Sequence, residues 1–361
     1  MLKPKILVIL PQEFYIHGTF CNQSISAVIY TNYANHPNKD NINIIIEEGS
    51  NIPDDINVSI IGRSDNDRAW HQKLIKQIEI FQPDIIEMHL KFNFAIRLKK
   101  QFPHIKFIYY CHNLPIPKKG LLASLYRGWR YNKIDAIISV SNAVEEIFKR
   151  YHFINKDKLF VIHNSLDANM VKVDLAAKKK IIFCAARPIA EKGLHLFLEA
   201  MQDFLPANPE WRAVLAIADV DVSGSVNEYA EQIKNTKINN VDLCSLSRAE
   251  VLKCQSECAI SVVPSIWPEP FGLTALEGHL CGNAVISSGT GGLREVSGDN
   301  ALYMENLDAI SILEHLQKLA GDEEYLRQMQ IKRMAEIDRF SVKKTRAKKQ
   351  QVRQYVIDGK K

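Results

Sequence analysis

Apolar runs of strand length recur along the chain: KILVIL from Lys5, NINIII from Asn41, DIIEMH from Asp84, KFIYYCH from Lys106, AIISVS from Ala136 and LFVIHN from Leu159. Between them lie segments of helical period, such as NDRAWHQKLIKQIEIF and SNAVEEIFKRY. Near-continuous apolar strands alternating with amphipathic helices predict parallel sheets covered on both faces. The pattern restarts after VDLAAKKK with IIFCAAR, RAVLAIAD, CAISVVPS and NAVISS. The prediction is α/β, with two doubly wound domains over 1–168 and 181–339 and a linker at 169–180. In the helix after Lys192, residues Leu194, Phe197, Leu198, Met201 and Leu205 share one face and predict packing against the second sheet. Residues 340–361 read as a basic helix or tail, either solvated or crossing back to the first domain.

Composition narrows the class. With 361 residues, 46% hydrophobic and 24% charged, the chain can bury two cores. A net charge of +5 is mild, and no zinc-finger, RRM-like or helix-turn-helix signature accompanies it, so nucleic acid is not an expected partner. Seven scattered cysteines form no disulfide framework. Cys254 and Cys258, with Cys244 upstream, read better as small apolar groups on one helix face than as metal ligands. The opening MLKPKILVILP has too short an apolar run for a signal peptide, and no later run reaches the length of a membrane span. The expectation is a cytoplasmic protein.

The chemistry is expected beyond the carboxyl ends of the strands. Arg187 and Lys192 follow IIFCAA, the stretch WPEPFGLTALEGHLCG follows CAISVVPS, and GTGGLREV follows NAVISS. Pro270 and Gly272 suit a helix start with a closely approachable backbone. The free N–H groups of Gly272, Leu273 and Thr274 then form an anion site, and Arg187 and Lys192 add full charges for a diphosphate. Glu277 is placed to accept hydrogen bonds from vicinal hydroxyls such as those of a ribose, and Glu269 to hold another part of the ligand. A plainer reading stands beside this one. Glutamates near a helix start are often caps or solvent-facing, Arg187 a surface ion-pair partner, and Lys192 solvated.

EPFGLTALEGHLCG resembles the E-x7-E signature of retaining GT-B glycosyltransferases of family 4, and CAARPIAEKGLHLFLEAM resembles that family's GR-x4-KG segment. SVSNAVEEIFKRYHFINKDKLFVIHNSLD is similar to the segment that ends the family's first domain, and GTGGLREVSGDNALYME to its Gly-Gly loop. The resemblance implies two Rossmann-like domains facing across a cleft, with a nucleotide sugar, UDP-linked, held mainly by the second. It implies that Arg187 and Lys192 bind the diphosphate and that Glu277 binds the ribose. Glu269 then touches the transferred sugar, Phe271 lies in the donor set, and His112 of YYCHN lines the reaction centre as the other catalytic candidate. From the residues alone, His112 is a histidine after a strand, often merely bonded to backbone. The first loop, YIHGTFCNQ, departs from the family's Gly-Gly-x-Glu: only Gly18 remains as a donor-contacting candidate, which puts the contact at His17–Phe20 in doubt. The turn Asn164, Ser165, Leu166, Asp167 lacks the usual glycine.

Asp219 and Asp221, and again Asp65 and Asp67, satisfy the short D-x-D pattern of metal-dependent GT-A enzymes, but the two-domain pattern argues for GT-B and no metal. No G-x-G-x-x-G follows the first strand, against a nicotinamide dehydrogenase. The stretch PIPKKGLLASLYRGWRYNKID sets Lys118, Lys119, Arg127, Arg130 and Lys133 among Leu121, Leu122, Leu125, Tyr126 and Trp129. It suits either a helix on an anionic bilayer or one packed on its own sheet. The resemblance is nearest to lipopolysaccharide-core transferases and implies a glycan or lipid-linked acceptor, met at the inner face of the cytoplasmic membrane. The alternatives are a UDP-GlcNAc 2-epimerase-like isomerase and a non-catalytic scaffold of the same fold.

Overall fold

The computed structural model describes residues 3–11, 24–48, 54–62, 66–116, 120–217, 225–334 and 337–359. The chain divides into two compact units, Met1–Leu166 together with Phe340–Lys361, and Asp167–Arg339. The change of unit falls at the turn that carries Leu166 and Asp167.

The first unit holds a parallel sheet of β1 (Ile6–Ile9), β2 (Ile42–Glu47), β3 (Val58–Ile61), β4 (Ile85–His89), β5 (Lys106–Cys111), β6 (Ala136–Ser139) and β7 (Leu159–Val161), in the order β3-β2-β1-β4-β5-β6-β7. The central strands β1, β4 and β6 are buried at every position, as helices on both faces require. The helix Asp67–Phe81 starts at the Asn66 cap and buries Trp70, Leu74 and Ile78, spaced four apart.

The second unit repeats the plan with β8 (Lys179–Ala186), β9 (Arg212–Ile217), β10 (Val241–Ser245), β11 (Cys258–Val263), β12 (Ala284–Ser287) and β13 (Ala301–Tyr303), again all parallel. The order is β10-β9-β8-β11-β12-β13, so the winding reverses between β8 and β11. A ligand crevice is expected outside the carboxyl ends of those two strands. The helix Leu194–Ala207 buries the five residues that its period singled out.

Two sequence expectations are corrected here. Cys254 and Cys258 do not share a helix face: the helix ends at Glu257 and Cys258 opens β11, its thiol donating to the Cys254 carbonyl at 3.1 Å. The basic tail is not a solvated helix. Helix Val342–Asp358 belongs to the first unit and buries Thr345, Lys349, Val352, Arg353 and Val356. Burial of its charge is possible because Arg353 Nε meets Glu87 Oε1 of β4 at 2.7 Å, and Tyr33 donates to the other oxygen. Burial alone would raise the Glu87 pKa, but Arg353, Lys349 and these hydrogen bonds hold it below the usual carboxylate value.

Candidate functional site

At the reversal point of the second sheet, β8 ends at Ala186 and the chain passes through exposed Arg187 to Lys192. Gly193 lies at φ +66°, and a Cβ there would sit 2.1 Å from the Pro264 carbonyl oxygen. A side chain is therefore excluded, and the loops after β8 and β11 press backbone to backbone. Ile266 and Trp267 donate their N–H groups to the Glu191 carbonyl at 3.0 and 3.2 Å. This seam brings together residues 77 apart in sequence: Lys192 Nζ lies 2.5 Å from Glu269 Oε1, and the Ser265 hydroxyl donates to the same oxygen at 2.5 Å.

The glycine loop after β12 locks Glu269 from the other side. Gly292 N–H donates to the Glu269 carbonyl at 2.7 Å. At Gly291, with φ +58°, a Cβ would fall 2.3 Å from that same oxygen. The two glycines thus serve the backbone of Glu269. Gly272, at φ +104°, begins the helix Leu273–Leu280 without a side-chain cap. The first amides of that helix, at the half-buried Leu273 and Thr274, have no intrahelical acceptor. Phe271 is only 3% exposed, so its ring belongs to the core.

One turn inside this helix Glu277 is buried, with Oε1 2.6 Å from Arg248 Nη2. No N–H is aligned on that oxygen, so the contact is a charge pair without a hydrogen bond, and Glu277 Oε1 and Arg248 Nε are left without hydrogen-bond partners among the described residues. Burial raises the Glu277 pKa and Arg248 pulls it back only in part. Arg248 was not singled out from the sequence. Its signal was the capping box of Ser247 and Glu250, which starts a helix just beyond β10 and sets Arg248 at its first position.

In the first unit His112 follows β5 and is 7% exposed. Its Nε2 lies 2.8 Å from Nδ1 of His89, the last residue of β4. Burial, reinforced by the Lys349 charge, pushes the His112 pKa down to about 3. His89 is lowered as well, by burial first and then by His112 and Lys349. Both rings are therefore neutral at ordinary pH.

Helix Leu121–Tyr131 rests on its neighbour through Gly128, where a Cβ would come 2.4 Å from the Phe153 carbonyl oxygen. Its apolar side chains face outward: Leu121, Leu122, Leu125, Tyr126 and Trp129 are exposed, Leu122 by 83%. Lys133 Nζ stands 3.5 Å from the centre of the Trp129 ring. These apolar side chains are therefore not packed on the sheet, as the plainer of the two sequence readings required. Gly18, Lys118, Lys119, Asp65, Asp219 and Asp221 lie outside the described residues. Asp67 occupies the first turn of its helix. Among the described residues no three His, Cys, Asp or Glu side chains gather as a metal site, and no helix is long and apolar enough to cross a membrane.

Comparison with known proteins places both units. Residues 167–335 match the family model of glycosyl transferases group 1, and residues 28–169 match that of glycosyltransferase family 4. An uncharacterised glycosyltransferase of Methanocaldococcus jannaschii is 28% identical over 208 residues, covering 53% of this chain and 57% of that protein. The alignments span about half the length of the curated relatives they match. Among solved structures, Anabaena HepE in complex with UDP and glucose superposes with TM-score 0.79 at 16% identity, over 97% of this chain and 99% of that one. Sucrose-phosphate synthase from Thermosynechococcus elongatus does so with TM-score 0.78 at 15% identity, over 99% and 100%. These likenesses establish the GT-B fold.

Proposed function

Because the chain belongs to the group 1 glycosyltransferases, we propose that it moves a hexose or N-acetylhexosamine from a UDP-sugar, with retention, to a lipopolysaccharide-core or other glycan or lipid-linked acceptor. The observation that carries this reading is the Lys192–Glu269 contact at the winding reversal of the second sheet, next to an uncapped helix start. In the UDP-sugar complex Arg187, Lys192 and the amides of Leu273 and Thr274 hold the diphosphate, with Gly272 leaving room for its approach. Glu277 accepts from the ribose hydroxyls and Glu269 from the sugar being transferred. His112 is the other catalytic residue of this reading. That HepE was solved with UDP and glucose supports UDP as the nucleotide.

The acceptor oxygen bonds to the anomeric carbon on the face from which the diphosphate oxygen departs. The leaving oxygen takes the acceptor's proton. Positive charge grows on the sugar and negative charge on the diphosphate, which the two cations and the helix start stabilise without a metal. The acceptor is met at an anionic membrane surface, on which Leu121, Leu122 and Trp129 insert beside Arg127, Arg130 and Lys133.

Thermal stabilisation by nucleotides and UDP-sugars in EDTA tests the donor site. A ligand at 100 times its Kd adds about 2.7 kcal/mol to native stability. UDP or one UDP-sugar should stabilise the wild type, and Glu277→Ala should lose the effect. Stabilisation by no nucleotide, or only with added metal, defeats the reading. Conversion of the donor alone to an epimer would instead identify an isomerase. Sedimentation with phosphatidylglycerol vesicles, lost in Leu122→Asp, tests the membrane contact.

A further inference from the structure

Arg248 opens the helix Arg248–Glu257 just beyond the carboxyl end of β10, on the same edge of the second sheet as the helix that carries Glu277. The first helix is tied to the turn that ends the second. The Cys281 thiol donates to the Leu252 carbonyl at 3.7 Å, and Asn283 Nδ2 donates to the Gln255 carbonyl at 3.0 Å. Anchored backbone therefore presents Arg248 and Glu277 to each other.

The pair is poorly made for stability alone. A guanidinium is a fork of donors, yet Glu277 is the one ion-pair partner of Arg248 among the described residues, and no N–H is aligned between them. Apolar residues of the same volume often serve a core at least as well as such a pair. The contact is also one-sided. Glu277 Oε1 is sealed against Arg248, whereas Oε2 is neither hydrogen-bonded nor sealed from solvent among the described residues.

An ionised carboxylate only accepts hydrogen bonds, whereas a protonated one turns one oxygen into a donor. To accept from vicinal hydroxyls, Glu277 must stay ionised although burial favours its neutral form. Arg248 is the charge that opposes burial; the Cys281 thiol at the end of the same helix, its pKa pushed up to about 12, stays neutral.

We infer that Arg248 is a positioning residue for the nucleoside: through Oε1 it holds Glu277 as an anion and leaves Oε2 to the ribose diol, so that the donor site selects ribonucleotides. The inference rests on the ribose role proposed above for Glu277. Arg248 acts through that carboxylate, its own Nε being buried.

The test titrates the full chain with UDP and with 2′,3′-dideoxy-UDP, which lacks both hydroxyls, from pH 5 to pH 9. The two nucleotides carry the same diphosphate, so its own ionisation cancels from the ratio of their affinities. The wild type should prefer UDP about tenfold to a hundredfold, the worth of a hydrogen bond to a charged group, and lose the preference as pH falls and Glu277 takes up a proton. In Arg248→Gln that loss should begin at higher pH and be recovered toward pH 9, while 2′,3′-dideoxy-UDP binds as in the wild type. Arg248→Lys keeps a charge in a different geometry and should move the pH course part of the way; it decides the matter if Arg248→Gln does not fold. Equal losses for both nucleotides, or a pH course unmoved in every variant that folds, overturns the inference. Failure of the underlying reading looks different: the wild type would then bind both nucleotides alike, or Glu277→Gln would keep the preference for UDP.

Discussion

Glu277 is a buried carboxylate whose pKa is raised, and a group in that condition costs the free protein stability. Substituting Glu277→Gln keeps its shape and removes the charge. The partner Arg248 lies 2.6 Å away, with the two side chains 9% and 8% exposed, so each charge depends on the other for compensation. Arg248→Met strands the carboxylate and should cost about 3–5 kcal/mol, the usual penalty for breaking a buried pair. Glu277→Gln leaves the Arg248 charge without its partner but removes a carboxylate whose burial outweighs what Arg248 returns to it, so its net cost should stay under about 2 kcal/mol. The double variant should recover most of the Arg248→Met loss. Hydrogen exchange of the β11 and β12 amides reads the second unit separately. The same arrangement has a pH signature. Between the ordinary carboxylate pKa and its raised value the native state binds more protons than the unfolded one, so Glu277's contribution falls as pH rises through that window. Glu277→Gln should abolish that slope while also losing stabilisation by UDP. A Glu277→Gln loss above about 2 kcal/mol in the ligand-free protein would refute the reasoning and make the pair a structural one.

Gly291→Ala combines a left-handed backbone, about 1–2 kcal/mol, with a Cβ 2.3 Å from the Glu269 oxygen, whereas Gly359→Ala, at φ +70° and ψ 20° with nothing within 4 Å, incurs the left-handed strain alone. Thermal melts should find Gly291→Ala worse, and its turnover should drop about a hundredfold as Glu269 is displaced; equal melting points with wild-type turnover would contradict the lock on Glu269. His152 is buried with neither ring nitrogen partnered among the described residues, and burial, then the Arg127 charge, lowers its pKa to about 4. Its contribution is therefore complete above the unfolded value of about 6.5 and lost as pH falls toward 4. The gap between urea midpoints at pH 7 and pH 5 should narrow in His152→Phe; an unchanged gap would place the acid sensitivity in the other buried histidines.

The apolar pattern marked the strands flanked on both sides and one edge strand, β7. It left out β3, β10 and β13, all at or next to a sheet edge, where burial is mixed: Val58–Ile61 has one buried residue of four, and Val241–Ser245 has none. An edge strand lacks a covered face and so has no need of a continuous apolar run. The same limit applied to charge. Lys349 and Arg353 sit in a run of lysines and arginines that reads as solvated, yet both are buried because Glu87, in another part of the chain, lies within reach.

By itself the sequence determined the two parallel-sheet units, the helix after Gly272 that carries Glu277, and the loops on which Arg187, Lys192 and Glu269 ride. Periodicity and turn chemistry act over a few residues and are therefore written locally. Only the tertiary structure decided that Lys192 meets Glu269, that Arg248 faces Glu277, that His89 bonds His112, and that the C-terminal helix closes the first unit. Those pairings join segments from 23 to 266 residues apart. They arise where chain crossings bring charges into a common low-dielectric interior, and no local pattern encodes which charges will meet there.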